Sequence, residues 1–172
     1  MTLPANKIIT INDRGARAAT TFGSLSAGGG NMVFIKKLTA SSDSNLTFHN
    51  GVSSVVLDST YKEYLFTFKN IHPSAESDLL FQANAVGASG FNETITSTFF
   101  RAYHNEAGND TTLAYVAGLD QAQGTGFSTL TDGIGSSSGT VNNDDNASGY
   151  LRLFNPSSTT FVKHFMGITN QQ

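Results

Sequence analysis

Tyr64-Leu65-Phe66-Thr67-Phe68-Lys69 is the stretch on which the reading of this chain turns. Aromatic Tyr64, Phe66 and Phe68 alternate with Leu65, Thr67 and Lys69, a period of two that puts three rings on one face of a strand. Such residues suit a pleated, half-buried surface, and His72-Pro73-Ser74 ends the run. The same signal spreads outward. Upstream, Met32-Val33-Phe34-Ile35, Leu46-Thr47-Phe48 and Val52 to Leu57 read as strands, the last two joined by the hairpin dipeptide Asn50-Gly51. Downstream, strands are expected over Leu79 to Val86, a long stretch from Thr94 to His104, Thr112 to Ala117, Tyr150 to Phe154 and Thr160 to Thr169. Glu106 to Asp110 and Asn155-Pro156-Ser157 read as turns. From Gly118 to Gly149 the alternation fails and the residues read as loop, with Phe127, Leu130 and Ile134 able to tuck one short edge segment against the core. No span holds a helical period for three turns. About eight antiparallel strands in ~140 residues predict an all-β fold, a jelly-roll-like β-sandwich.

Composition agrees and excludes alternatives. Of 172 residues only 13 % are charged, against about 25 % in an average domain. Ser, Thr and Asn, 54 together, take their place, and they suit turns and the wet faces of strands. The absence of Cys removes disulfides, zinc ribbons and thiol catalysis. Ten Lys and Arg against thirteen Asp and Glu argue against a nucleic-acid binder. With 38 % apolar residues, including 13 Phe, a core can form, so disorder is a poor reading. No apolar run is long enough for a signal peptide or for membrane insertion. The sequons at Asn45, Asn92, Asn109 and Asn146 are chance products of this composition.

Residues 1–31 differ from residues 32–172, which make the β-sandwich domain. The first stretch ends in Gly28-Gly29-Gly30, a flexible joint. Charge divides close by: residues 1–37 carry five basic groups and one acid, a net of +4, whereas 38–172 carry five and twelve, a net of −7. One reading is a frayed terminus. The other is an extended anchoring arm that latches onto another protein through Ile8, Ile9, Ile11, Phe22 and Leu25, with Arg14 and Arg17 as its charges. The isoleucines favour the arm, because they can add a short strand to another sheet edge.

No catalytic constellation stands out. Gly135-Ser136-Ser137-Ser138-Gly139 matches Gly-x-Ser-x-Gly, yet it lacks the strand-to-helix turn that exposes a nucleophile. Asp144, Asp145 and Asn146 open a stretch resembling the front of a calcium loop, but Asn155 stands where its Glu belongs. Those three are weak metal candidates, and a solvated hairpin loop accounts for them equally. His49, His72, His104 and His164 show no metal-ligand spacing. The tyrosines can stack on sugar rings, although core packing is the commoner role. No cofactor is expected.

The body resembles a β-rich domain of marine tailed phages, including those of cyanobacteria. The resemblance is carried by Ile35-Lys-Lys-Leu-Thr-Ala-Ser-Ser42, Leu57-Asp-Ser-Thr-Tyr-Lys-Glu-Tyr-Leu-Phe66, Asn70-Ile-His-Pro73, Gly90-Phe-Asn-Glu-Thr-Ile95 and Ser148 to His164. It covers nearly all of residues 33–165 and leaves residues 1–31 aside. It implies a non-enzymatic virion structural protein: a tail-fibre or appendage subunit held to the particle by its N-terminal arm. The expected partners are other virion proteins of the tail or capsid, copies of the same chain, possibly in a trimer, and a host-surface glycan met by loops 119–149. The alternatives are a capsid decoration (cement) protein and a carbohydrate-binding or carbohydrate-degrading jelly roll.

Overall fold

The computed structural model describes residues 32–135 and 141–172. Residues 37–172 form one compact unit, built of antiparallel strands and turns, with no helix among the described residues. There are nine strands: β1 (Glu63–Ile71), β2 (Leu80–Phe81), β3 (Ile95–Ser97), β4 (Phe100–His104), β5 (Thr111–Tyr115), β6 (Gln121–Gly124), β7 (Ser128–Thr129), β8 (Ala147–Phe154) and β9 (His164–Gln171). Their pairing is nested. β1 pairs with β8, β2 with β7, β3 with β6 and β4 with β5, while β9 lies on the far side of β8. The chain from Glu63 to Phe154 is therefore one long antiparallel hairpin, interrupted at corners, with its tip between β4 and β5.

The aromatic alternation of β1 fixes which face turns inward. Tyr64, Phe66 and Phe68 stand opposite Leu153, Leu151 and Gly149 of β8, and Leu151 and Leu153 stand opposite Gly167 and Phe165 of β9. Tyr64, Leu151 and Ala147 are buried, each large apolar side chain contributing about 1.5–3 kcal/mol relative to exposure. Ring pairs extend this core: Phe48 meets Phe66 edge-on at 5.4 Å, and Phe81 of β2 meets Phe165 of β9 at 5.4 Å. The chain after β7 lies against β9, where Gln171 Nε2 donates to Asp132 O at 2.7 Å and Asp132 N donates back to Gln171 Oε1 at 2.8 Å. Leu130, Thr131 and Ile134 are buried there.

The corners of the long hairpin explain why this core contains polar residues. Where a ladder stops, backbone groups lose their partners and must find others. Between β2–β7 and β3–β6, the buried Gln82 amide donates to Glu93 O (3.1 Å), Thr125 O (3.2 Å) and Gly126 O (2.7 Å). Just outside β2–β7, Leu79 N donates to the buried Thr131 Oγ1 at 2.7 Å. Between β1–β8 and β2–β7, Asn142 N donates to the buried Asp145 carboxylate at 2.6 Å. At the same corner His72 Nδ1 lies 2.6 Å from Asp145 O. Ser128 Oγ bonds Ser97 Oγ at 3.3 Å and ties β7 to β3. All four of the buried polar side chains pin the hairpin at or beside its bends.

The all-β class stands, with several differences in detail. Met32 to Ile35, Leu46 to Phe48 and Val52 to Leu57 form no strands. The Asn50-Gly51 hairpin is replaced by consecutive turns, because Val52 N bonds His49 O and Val55 N bonds Val52 O. Ser53 and Ser54 adopt positive φ of 51° and 67°, which curls the chain away from an extended partner. Leu79 to Val86 shortens to two strand residues. Thr94 to His104 is two strands, β3 and β4, with different partners. The stretch read as loop from Gly118 to Gly149 holds β6, β7 and the start of β8. Leu130 and Ile134 tuck in as expected, but Phe127 is exposed. The sheets are small: one of three strands and three of two, none closed.

Candidate interaction surface

The tip of the hairpin is built by local chemistry. Asn105 Oδ1 accepts from Asn109 N (3.0 Å) and Asp110 N (3.2 Å), Asn105 N donates to Asp110 O (2.9 Å), and Gly108 takes the positive φ of 65° that the turn requires. This closes a tight turn and sets the register, with Phe100 opposite Tyr115, Ala102 opposite Leu113 and His104 opposite Thr111. Those six residues share one face of the ribbon, and all six are exposed. Phe100 is 70 % exposed, Leu113 84 % and Tyr115 50 %. The Phe100 and Tyr115 rings pack side by side at 5.5 Å, still open to water.

The opposite face holds Arg101, Tyr103, Thr112 and Ala114, and of these Arg101, Thr112 and Ala114 are half-buried. Arg101 forms an ion pair with Asp132 and lies over the Tyr103 ring at 5.0 Å. The ribbon therefore turns its cation toward the protein and its apolar side toward water. That inverts the usual arrangement of a two-stranded ribbon on a protein surface. A shallow hollow of about 430 Å³ runs along it, lined by Ala102, Tyr103, His104, Thr111, Thr112 and Leu113. Tyr115 also donates to the Asp120 carboxylate, a bond that holds its phenol pKa above the usual 10.0.

A second surface is mixed. The outer face of β1–β8–β9 exposes Leu65, Met166 and Ile168. It also carries Lys69 and the Arg152–Glu63 ion pair at 2.8 Å, with Arg152 over the Tyr150 ring at 5.8 Å.

Of the residues singled out from sequence, Ile8, Ile9, Ile11, Arg14, Arg17, Phe22 and Leu25 lie outside the described residues, as does Ser136 to Gly139 of the Gly-x-Ser-x-Gly match. Asp144, Asp145 and Asn146 are described and do not converge. The Asp145 carboxylate accepts from Asn142 N, and the Asn146 amide donates to Asp144 O at 2.9 Å. No group of three or more His, Asp or Glu side chains is placed to hold a metal ion among the described residues. Sequence reasoning assigned most aromatics to packing; Phe100, Tyr103 and Tyr115 are instead exposed. The signal for the ribbon face was the alternation itself, which shows two faces without saying which one turns outward. No family model, curated protein or solved structure matches the chain.

Proposed function

We propose that this chain is a non-enzymatic structural subunit of a tailed-phage virion, most simply a tail-fibre or appendage subunit, that functions by being packed among other protein surfaces. The observation that carries this reading is the distribution of apolar side chains. Within residues 37–172, fifteen large apolar side chains are exposed, whereas only seven hydrophobic residues are buried. A domain that spends its life alone in water keeps most such side chains inside, and exposed apolar patches mark surfaces that another molecule covers. The neutral Ser/Thr/Asn composition fits the same role, because it covers the remaining surface without strong fields. The resemblance to phage structural domains supplies the virion.

The nested pairing supports the finer fold reading as well. In a jelly roll a long antiparallel ribbon is rolled up so that strands one and eight, two and seven, three and six, and four and five are neighbours. That is the order of pairing in β1 to β8, with β9 added at the edge of the three-stranded sheet. Residues 1–31, net basic with 37 included, remain the proposed anchor to the particle.

Antibody labelling of purified particles tests this function. Label on the tail is the expected result, at a few dozen copies per particle. Label over the whole head at hundreds of copies replaces it with capsid decoration, and absence from particles overturns it.

A further inference from the structure

We infer that the outward face of the β4–β5 ribbon is the contact through which two copies of this chain meet, ribbon against ribbon. This rests on the reading of the chain as a subunit packed among others, and it names the surface and the partner. Charge selects the partner. Phe100, Ala102, His104, Thr111, Leu113 and Tyr115 include no Asp, Glu, Lys or Arg, so nothing on this face recognises a partner by fixed charge. Residues 38–172 carry a net charge of −7, counted as five basic against twelve acidic groups. Most faces of the body brought against themselves would set acid near acid. The ribbon can face itself with no such repulsion, and an isologous contact needs a patch of that kind.

Area and rigidity bear on how tight the contact is. Phe100, Leu113 and Tyr115 together present roughly 400 Å² of apolar surface, about half of the ~800 Å² per partner of a standard stable interface. The pair therefore forms and dissociates with concentration, and becomes persistent only where many copies are held side by side. The face is preorganised. The Asn105 turn fixes one end of the ribbon, and the Arg101–Asp132 pair ties its other side to the chain after β7. Little ordering is left for binding to supply. A two-stranded ribbon has little stability by itself, so a cover over its apolar face stabilises the tip.

The lack of cysteine makes a direct test available on the full chain. Leu113→Cys and, as control, Val86→Cys, which is 97 % exposed in a loop outside the ribbon, are treated with a short bismaleimide at micromolar protein. The Leu113→Cys chain should give cross-linked dimer at least about tenfold faster than the control. Sedimentation of the unaltered chain over a dilution series should show dimer dissociating to monomer, and Leu113→Asp should remain monomeric throughout with an unchanged far-ultraviolet circular dichroism spectrum. Equal cross-linking at both positions overturns the inference, and so does a Leu113→Asp chain that still associates; neither touches the virion reading, which is judged by location in particles. Fast cross-linking by a chain absent from particles would uphold the contact and remove the virion reading alone.

Discussion

An alanine at Gly149 should cost this domain far more than an alanine at Gly167, although both glycines sit in the same pair of central strands. A Cβ added at Gly149 would lie 2.3 Å from Ile168 O, 2.7 Å from Thr169 Cα and 3.0 Å from Thr169 Cγ2. Comfortable separations are about 3.5–4.0 Å, so β8 and β9 must part by roughly 1 Å at this register. Two of the three obstacles are backbone, which no rotamer change can move. On the other side of β8, Gly149 pairs with Phe68, next to the irregularity where β1 shifts register, so the strand has no slack to give. Overpacking of this kind costs about 1–3 kcal/mol, and opening the ladder weakens one or two hydrogen bonds at about 1 kcal/mol each. The total is about 2–5 kcal/mol, a large part of the ~5–15 kcal/mol of a typical domain. At Gly167 the added Cβ meets Tyr150 O at 3.5 Å and Leu130 Cδ2 at 3.6 Å, which is ordinary contact. There the loss of backbone freedom in the unfolded chain should dominate, stabilising by about 0.4–1 kcal/mol. Urea unfolding of the two variants beside the unaltered chain measures both. A Gly149→Ala loss below about 1 kcal/mol, or a Gly167→Ala loss as large as that of Gly149→Ala, would refute the steric account.

Two further outcomes follow from the corners and the core. Gln82→Ala should destabilise by about 2–3 kcal/mol, because three backbone carbonyls lose a buried donor; Gln82→Glu should be less stable at neutral pH than in acid, where its carboxyl regains a proton, and unfolding at two pH values checks both. Burial, above all, raises the Tyr64 phenol pKa from 10.0, so its contribution is complete below pH 10 and is lost as pH rises through the folded value. Asp58 has the opposite sign: hydrogen bonds from the Thr60 side chain and backbone N–H lower its pKa from 3.8, so its contribution holds above that value and fades as pH falls through the folded one. Phenolate absorbance with and without Tyr64→Phe, and carboxyl shifts of Asp58 by NMR, read these directions.

Much of the fold was legible because two kinds of local signal were strong. The aromatic alternation of Tyr64, Phe66 and Phe68 identified β1 and its buried face, and Tyr150 to Phe154 did the same for most of β8. Asn105 to Asp110 combined turn-forming Asn, Gly and Asp with flanking Thr and Tyr, enough to place the tip hairpin. The failures have a common cause. Gln121 to Gly124, Ser128-Thr129 and Ala147 to Gly149 carry small or polar residues into the sheets, so hydrophobic periodicity does not see them. Gln82, Thr131 and Asp145 are buried because interrupted ladders need side chains as partners, a demand that exists only once distant segments have met. At Asn50-Gly51 the dipeptide signal was overridden by Ser53 and Ser54, whose positive φ continues the turn. As for the ribbon face, an alternating strand shows that there are two sides; which side is inward depends on Asp132, 31 residues away, drawing Arg101 toward it.

Nested pairing also prescribes an order of assembly. The tip closes a short loop, from His104 to Thr111. The next pair joins Ile95 to Gly124, the next Leu80 to Thr129, and the outermost Glu63 to Phe154. Each pairing shortens the loop left for the one outside it, so the entropic cost of closing ~90 residues at once, which grows by only about 0.6 kcal/mol per doubling of length, is met in instalments. A chain wound this way zips from tip to base, with β8–β9 as a second local start from Phe154 to His164. Substitutions in the Asn105 turn should then slow folding, while those at Tyr64 or Leu151 should mainly speed unfolding. The apolar ribbon would be the first part of the chain to take shape, and so ready to meet a neighbour before the rest of the domain has closed.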